Sequence, residues 1–240
     1  MRFSAPVYHL KWRAKQLVRK ENIALHVALD RIARAEGFAN WGLLARRWAQ
    51  EAALPGDVLD QFAPGDFVLL GARPGHGKTL MGLRILRDAM RAGRRSCFFT
   101  LEYTQAEVET RLARLGGIGR VGKDPLEIVT SEDISAAYIV SHMTDAPRGS
   151  VAVIDYLQLL DQQRHKPALA EQLSQLQAFA CRTGVILIFI SQIDRTFSSD
   201  RKTMPGMEDV RLPNPVPFEL FSKACFLHDG KLRFQVLTDL

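Results

Sequence analysis

Phe67-Val68-Leu69-Leu70-Gly71-Ala72-Arg73-Pro74-Gly75-His76-Gly77-Lys78-Thr79-Leu80 is the stretch that decides the fold. Its first four residues are continuously apolar, which predicts a strand buried on both faces. Ala72 to Thr79 then has the spacing of a phosphate-binding loop, with Ala72 where a glycine usually opens the pattern. Glycines at 75 and 77 let successive backbone N–H groups turn inward around phosphate oxygens. A helix expected over Leu80–Met90 adds the positive end of its dipole. Lys78 is the cation for the β- and γ-phosphates, and the Thr79 hydroxyl is a ligand for Mg²⁺. The expected ATP-binding segment is therefore Ala72, Arg73, Pro74, Gly75, His76, Gly77, Lys78, Thr79 and Leu80. A strand before the loop and a helix after it supply the context such a loop needs.

Further apolar runs follow downstream. Strands are expected at Cys97–Leu101, Leu126–Thr130, Val151–Asp155 and Val185–Ser191, with helical patterns between most of them. This alternation predicts an α/β domain whose mostly parallel sheet is covered on both faces. A last pair, Ala224–Leu227 and Leu232–Leu237, flanks His228-Asp229-Gly230, whose Asp-Gly is a hairpin signal.

Val151-Ala152-Val153-Ile154-Asp155 is a buried strand ending in a carboxylate, the residue type that organises a metal's water shell near a phosphate loop. Tyr156 follows it, so the base that activates water must come from another strand. Glu102 closes the run Cys97–Leu101, and the carboxyl ends of neighbouring parallel strands converge on one crevice. Its alternative role is an acidic cap for a helix starting near Thr104. Gln192 closes the strand ending Ile190-Ser191, where an amide can sense a γ-phosphate; a plain surface position is the alternative.

The N-terminal part reads differently. Helices are expected over Leu10–Lys20, with an apolar seam of Leu10, Ala14 and Leu17, and over Ile23–Glu36, with Leu25, Leu29 and Ile32. Gly37 stops the second, and Asn40 caps a third carrying Trp41, Leu44 and Trp48. Residues 1–52 hold ten Lys/Arg against four Asp/Glu, the whole excess of a chain with net charge +6. Pro55-Gly56 and Pro64-Gly65-Asp66 mark the change of character. The division drawn is a basic helical segment over 1–53 and a nucleotide-binding domain over 54–240.

The longest apolar run, Val185–Ile190, is far short of the roughly 20 residues a membrane span needs. Met1–Leu10 carries neither a continuous apolar stretch nor a small-residue cleavage site, so a cytoplasmic protein is expected. Cys97, Cys181 and Cys225 are odd in number and far apart, and are expected as buried reduced thiols rather than a disulfide frame or zinc site. The segment Asp194–Pro217, with Arg195, Arg201, Lys202 and Arg211 among Ser, Gly and Pro, reads as a long loop.

Four runs together carry a resemblance: Ala72-Arg73-Pro74…Gly77-Lys78-Thr79, Phe99-Thr100-Leu101-Glu102, Val153-Ile154-Asp155-Tyr156-Leu157-Gln158-Leu159 and Ile190-Ser191-Gln192-Ile193-Asp194-Arg195. Most of residues 55–228 resembles the RecA-like ATPase domain of the DnaB-type replicative helicases. The resemblance implies a Mg²⁺-dependent ATPase in which Glu102 is the catalytic glutamate and Asp155 directs Mg²⁺. Gln192 would link nucleotide state to a DNA-facing loop. It further implies homo-oligomeric assembly as a hexameric ring, ATP between subunits and single-stranded DNA through the centre. Arg195, Arg201 and Lys202 are then the expected DNA contacts. The family's basic finger lies in a Lys-x-Arg-Asn-Gly segment. Here Lys231-Leu232-Arg233 stands with no following Asn-Gly, and Arg233 is the matching residue. The alternative is a nucleotide-gated regulatory or recombination ATPase, RecA- or KaiC-like, that unwinds nothing.

Overall fold

The computed structural model describes residues 7–45, 58–116, 126–155, 157, 160, 167–194, 197, 202–210 and 216–237. The chain divides into two compact units, Met1–Pro55 with Asp229–Lys231, and Gly56–His228 with Leu232–Leu240.

Among the described residues seven strands form one sheet: β1 Phe67–Ala72, β2 Ser96–Thr100, β3 Glu127–Val129, β4 Val151–Asp155, β5 Ile186–Gln192, β6 Lys223–His228 and β7 Lys231–Val236. Their order is β3-β2-β4-β5-β1-β6-β7, and the pairing from β3 through β6 is parallel throughout. Asp229 and Gly230, at φ 49° and 75°, turn the chain from β6 into β7, the backbone an Asp-Gly pair favours. The sequence expectation of a mostly parallel α/β sheet therefore holds. β3 is shorter than expected, with Leu126 and Thr130 outside it.

Burial explains the apolar runs. Every residue of β1, β2 and β4 is buried, as a strand covered on both faces requires. On one face Phe67 packs against Phe189 and Phe221 at ring separations of 4.7 and 5.0 Å. On the other lies α3, Lys78–Arg91, held close because Gly82 faces the sheet: a Cβ there would meet Val153 at 3.0 Å and Ile190 at 3.1 Å. The remaining helices of the larger unit are α4 Gln105–Arg114, α5 Ala136–His142 and α6 Leu169–Thr183.

Two polar clusters fix the strand ends far from the loop. Asp66, 4% exposed, takes Lys223 Nζ at 2.6 Å, the Ser222 hydroxyl at 2.8 Å and the Ala63 N–H at 2.7 Å. Removing one partner of so buried a pair costs about 3–5 kcal/mol, so this cluster pins the starts of β1 and β6 together. At the sheet edge Glu127 accepts from Arg95 at 3.3 Å and pairs with His142 Nε2 at 2.6 Å, tying β3 to α5.

In the smaller unit α1 spans Val7–Glu21 and α2 spans Leu25–Ala35, followed by a helical turn at 41–45. Leu10, Ala14, Ala28, Ile32, Ala33 and Leu44 form its core. Gly37 at φ 84° ends α2, and Asn40 Oδ1 accepts the Leu43 N–H at 2.9 Å, the cap expected of it. Leu25 departs from expectation: it is 46% exposed, because Ala28 and Ala33, not Leu25, let α2 approach α1 closely. Trp48 lies outside the described residues. Cys97 and Cys225 are buried as expected, but Cys181 is exposed, since it sits on the outer side of α6 while Phe179 and Ala180 face inward.

Candidate nucleotide site

The loop between β1 and α3 is shaped by two left-handed glycines, Gly75 at φ 81° and Gly77 at φ 87°. Any other residue would be strained at both positions, and a Cβ at either meets nothing within 4 Å. Gly71 is small for a different reason: a Cβ there would lie 2.9 Å from the Phe226 ring. The His76 N–H closes a turn on the Arg73 carbonyl at 3.1 Å, and Gly77 caps α3 with no side-chain hydrogen bond. The free amides of that helix start are thus left to a ligand. Lys78 and Thr79 are the first two residues of α3, two positions earlier than the expected start at Leu80.

Asp155 ends β4 beside this loop. It is completely buried, and neither carboxylate oxygen has a hydrogen-bond partner. Burial pushes its pKa from 3.8 up to about 6. The Thr79 hydroxyl opposes that rise from close by, short of a well-formed hydrogen bond; Glu102 adds to it, and Lys78 and Arg111 oppose it. An orphaned buried carboxylate next to a helix-start hydroxyl is an oxygen donor set that suits a hard divalent cation such as Mg²⁺.

Register brings the other residues to the same edge of the sheet. Thr100 pairs with Asp155, Asp155 with Ile190, and Ala72 with Gln192. Glu102 follows β2 by two residues, is exposed, and its N–H is held by Thr100 Oγ1 at 3.1 Å. It borders an open cleft of ≈ 370 Å³ shared with Tyr103 and Thr130. Glu102 does not cap α4. Thr104 does, in a reciprocal box with Glu107 whose oxygen accepts the Thr104 N–H at 2.9 Å. Gln192 is half-buried at the end of β5, and the next residue, Ile193, donates its N–H to the Ala72 carbonyl at 3.0 Å. Phosphate loop, Asp155, Glu102 and Gln192 thus share the carboxyl edge of four adjacent strands.

No family model matches the chain. A curated relative, the replicative DNA helicase DnaB of Mycoplasma genitalium, is 23% identical over 183 residues, which are 62% of this chain and 39% of that protein. The chain therefore spans well under half the length of that relative. Among solved structures, an isolated ATPase domain aligns with TM-score 0.56 and 19% identity, covering 78% of this chain and 82% of that one. A DnaB-like replicative helicase, solved in a study of its interactions with primase, aligns at 0.57 and 19% over 91% of this chain and 64% of its own. The chain thus shares the fold of these ATPase domains. A KaiC-like protein from Pyrococcus horikoshii is similar at TM-score 0.50 and 17% identity, over 72% of this chain and 77% of that one.

Around the phosphate loop the sequence-expected residues fare unevenly. Arg233 is on β7, where its guanidinium donates to the Pro205 carbonyl at 2.8 Å and lies over the Phe226 ring at 5.6 Å. Lys202 is exposed and paired with Glu208 at 2.6 Å and Asp209 at 3.4 Å. Arg195 and Arg201 lie outside the described residues, as do Tyr156, Gln158 and Leu159 of the resemblance. The segment expected as a plain loop contains a 3-10 turn at Met207–Asp209 and a bridge between Ile193 and Val210.

Two neighbours of the site escaped sequence reading. His76 stacks on His228 at 5.2 Å and 8°, and Phe197 meets the His228 ring edge-on at 5.2 Å, so the end of β6 braces the loop tip. Arg111 of α4 lies over the Tyr103 ring at 4.3 Å and within electrostatic reach of Asp155. Residues 76 and 228 are too far apart in sequence for periodicity to pair them. Tyr103 and Arg111 are closer, but no chemical pattern singles them out.

Proposed function

We propose that this chain is a Mg²⁺-dependent ATPase of the DnaB type that acts on single-stranded DNA as a self-associated ring, with residues 54–240 as the ATPase domain and the basic segment 1–53 appended to it. The observation that carries the reading is the convergence of the phosphate loop, Asp155, Glu102 and Gln192 at one sheet edge. Similarity to helicase ATPase domains supports the ATPase part directly.

In this reading the loop amides and Lys78 bind and orient the ATP phosphates. Thr79 and Asp155 hold Mg²⁺, which when bound neutralises phosphate charge. A cation held there would offset the cost of keeping the Asp155 charge at its depth. Glu102, exposed beside the cleft, accepts the proton of the attacking water. The Gln192 amide sits where it can exchange a γ-phosphate contact for none, and the chain running on from it carries Arg195, Arg201 and Lys202 to DNA. Lys202 must leave Glu208 to do so. Arg233 serves as the finger for a neighbour's ATP after releasing the Pro205 carbonyl.

A second reading, a nucleotide-gated regulatory ATPase without unwinding, draws support from the KaiC-like neighbour and from the internal anchoring of Arg233. The deciding experiment measures ATP turnover with and without single-stranded DNA, strand displacement, and mass in solution with ATP. DNA-stimulated turnover with displacement supports the first reading. Slow turnover indifferent to DNA, with no displacement, rejects it for the second.

A further inference from the structure

Helix α1 has an outer face that the nucleotide site does not explain. At about 3.6 residues per turn, Trp12, Lys15, Gln16 and Arg19 fall opposite the buried seam of Leu10, Ala14 and Leu17, with His9 and Lys20 on the flank of the same face. All six are exposed, and none is acidic. The only acid in the helix, Glu21, lies toward the seam and is paired with Arg31 of α2. Trp12 is 53% exposed, yet its ring is not loose: it stacks on His9 at 5.4 Å and 23°. A large apolar ring kept in water in the middle of a cationic face costs solubility and gains the fold nothing.

We propose that this face binds single-stranded nucleic acid, with Trp12, backed by His9, as a stacking platform for a base and with Lys15, Arg19 and Lys20 following the phosphates. A flat aromatic ring beside a row of cations is the arrangement that engages an unpaired strand without reading its sequence, since every base has a π-face and every nucleotide a phosphate. An anionic membrane fits less well. Insertion needs a free apolar stripe, and the stripe of α1 is spent on the core, with Leu10 and Ala14 at 0% exposure. An acidic protein surface would satisfy the cations but give no reason for the stacked rings. Arg13 is not part of this face: it lies beside the seam and faces Glu36 at 4.0 Å.

The test uses the full chain without nucleotide and a fluorescent oligo(dT) of about 20 nucleotides, long enough for a site of the usual size, with oligo(U) in parallel. Trp12→Ala should weaken binding about 5- to 100-fold, while Trp12→Phe, which keeps a ring, should retain most of it. Arg19→Ala with Lys20→Ala should lower the slope of log affinity against log salt by roughly 0.7 for each phosphate no longer neutralised. Unchanged far-UV circular dichroism excludes misfolding, and Trp12→Phe guards against a fold effect of the alanine. Lys78→Ala should leave this nucleotide-free binding intact, which separates failure of the face from failure of the ATPase reading. Wild-type affinity in Trp12→Ala, made in a chain that also carries Arg201→Ala and Lys202→Ala so that the loop contacts are removed, overturns the proposal. So does loss of binding to vesicles of anionic phospholipid, with oligonucleotide binding unaffected, in the same variants.

Discussion

Asp155→Asn should make the ligand-free protein more stable and its ATPase dead. The wild-type carboxylate is fully buried, neither oxygen is hydrogen-bonded, and its pKa stands at about 6 rather than 3.8. At about 1.4 kcal/mol per pKa unit, holding this charge in the folded state costs up to about 3 kcal/mol at neutral pH. Because the folded pKa lies above the unfolded one, the folded state keeps a proton that the unfolded state releases between about pH 4 and 6. The stabilisation is therefore complete below about pH 4 and lost as pH rises through about 6. Asparagine keeps the shape and only a smaller polar penalty. In thermal melts without Mg²⁺ or nucleotide, the variant should melt several degrees above wild type at pH 8, at about 2–4 °C per kcal/mol for a domain of this size. The gap should narrow to about half by pH 5 and close only near pH 4. Mg²⁺ with ATP should raise the wild-type melting temperature by more than that of the variant, which keeps the phosphate loop and Lys78 but loses the carboxylate for Mg²⁺. A gap of constant size from pH 8 to pH 5, or a variant less stable at pH 8, would refute the buried-charge argument.

Lys78→Ala should abolish turnover and weaken ATP binding, as read by hydrolysis and nucleotide titration; normal turnover would remove the loop from the mechanism. Glu102→Gln should bind ATP normally while the chemical step slows by about 10²-fold or more, and a normal rate would hand the base to another group. Mixing Arg233→Ala with Lys78→Ala protein should restore part of the activity if one subunit supplies the finger and another the pocket. No rescue, with both variants folded and associating, counts against a shared site. Replacing Arg201 and Lys202 by alanine should remove DNA stimulation of turnover, reduce the salt slope by roughly 0.7 per phosphate released and spare ATP binding. Stimulation that disappears only on deleting residues 1–52 would move the DNA site to the N-terminal segment.

The strands and the phosphate loop were legible in the chain because their signals are local. A continuous apolar run must be covered on both faces, and Gly75 and Gly77 are needed by a backbone conformation that adjacent residues alone define. Asp155 was legible as the end of such a run. What the one-dimensional pattern left open was decided by register and packing. Thr104-x-x-Glu107 already carries the capping-box pattern in sequence, and the structure shows that this box, not Glu102, caps α4. Gln192 lies beside Ala72 because β5 pairs with β1, a partnership no residue within either strand announces. Cys181 and Leu25 were misplaced because an apolar neighbourhood in sequence does not say which side of a helix meets a core. The raised pKa of Asp155 and the brace of His228 on His76 arise from groups brought together across the sheet. Desolvation and ring stacking act through space, so only the tertiary structure determines them.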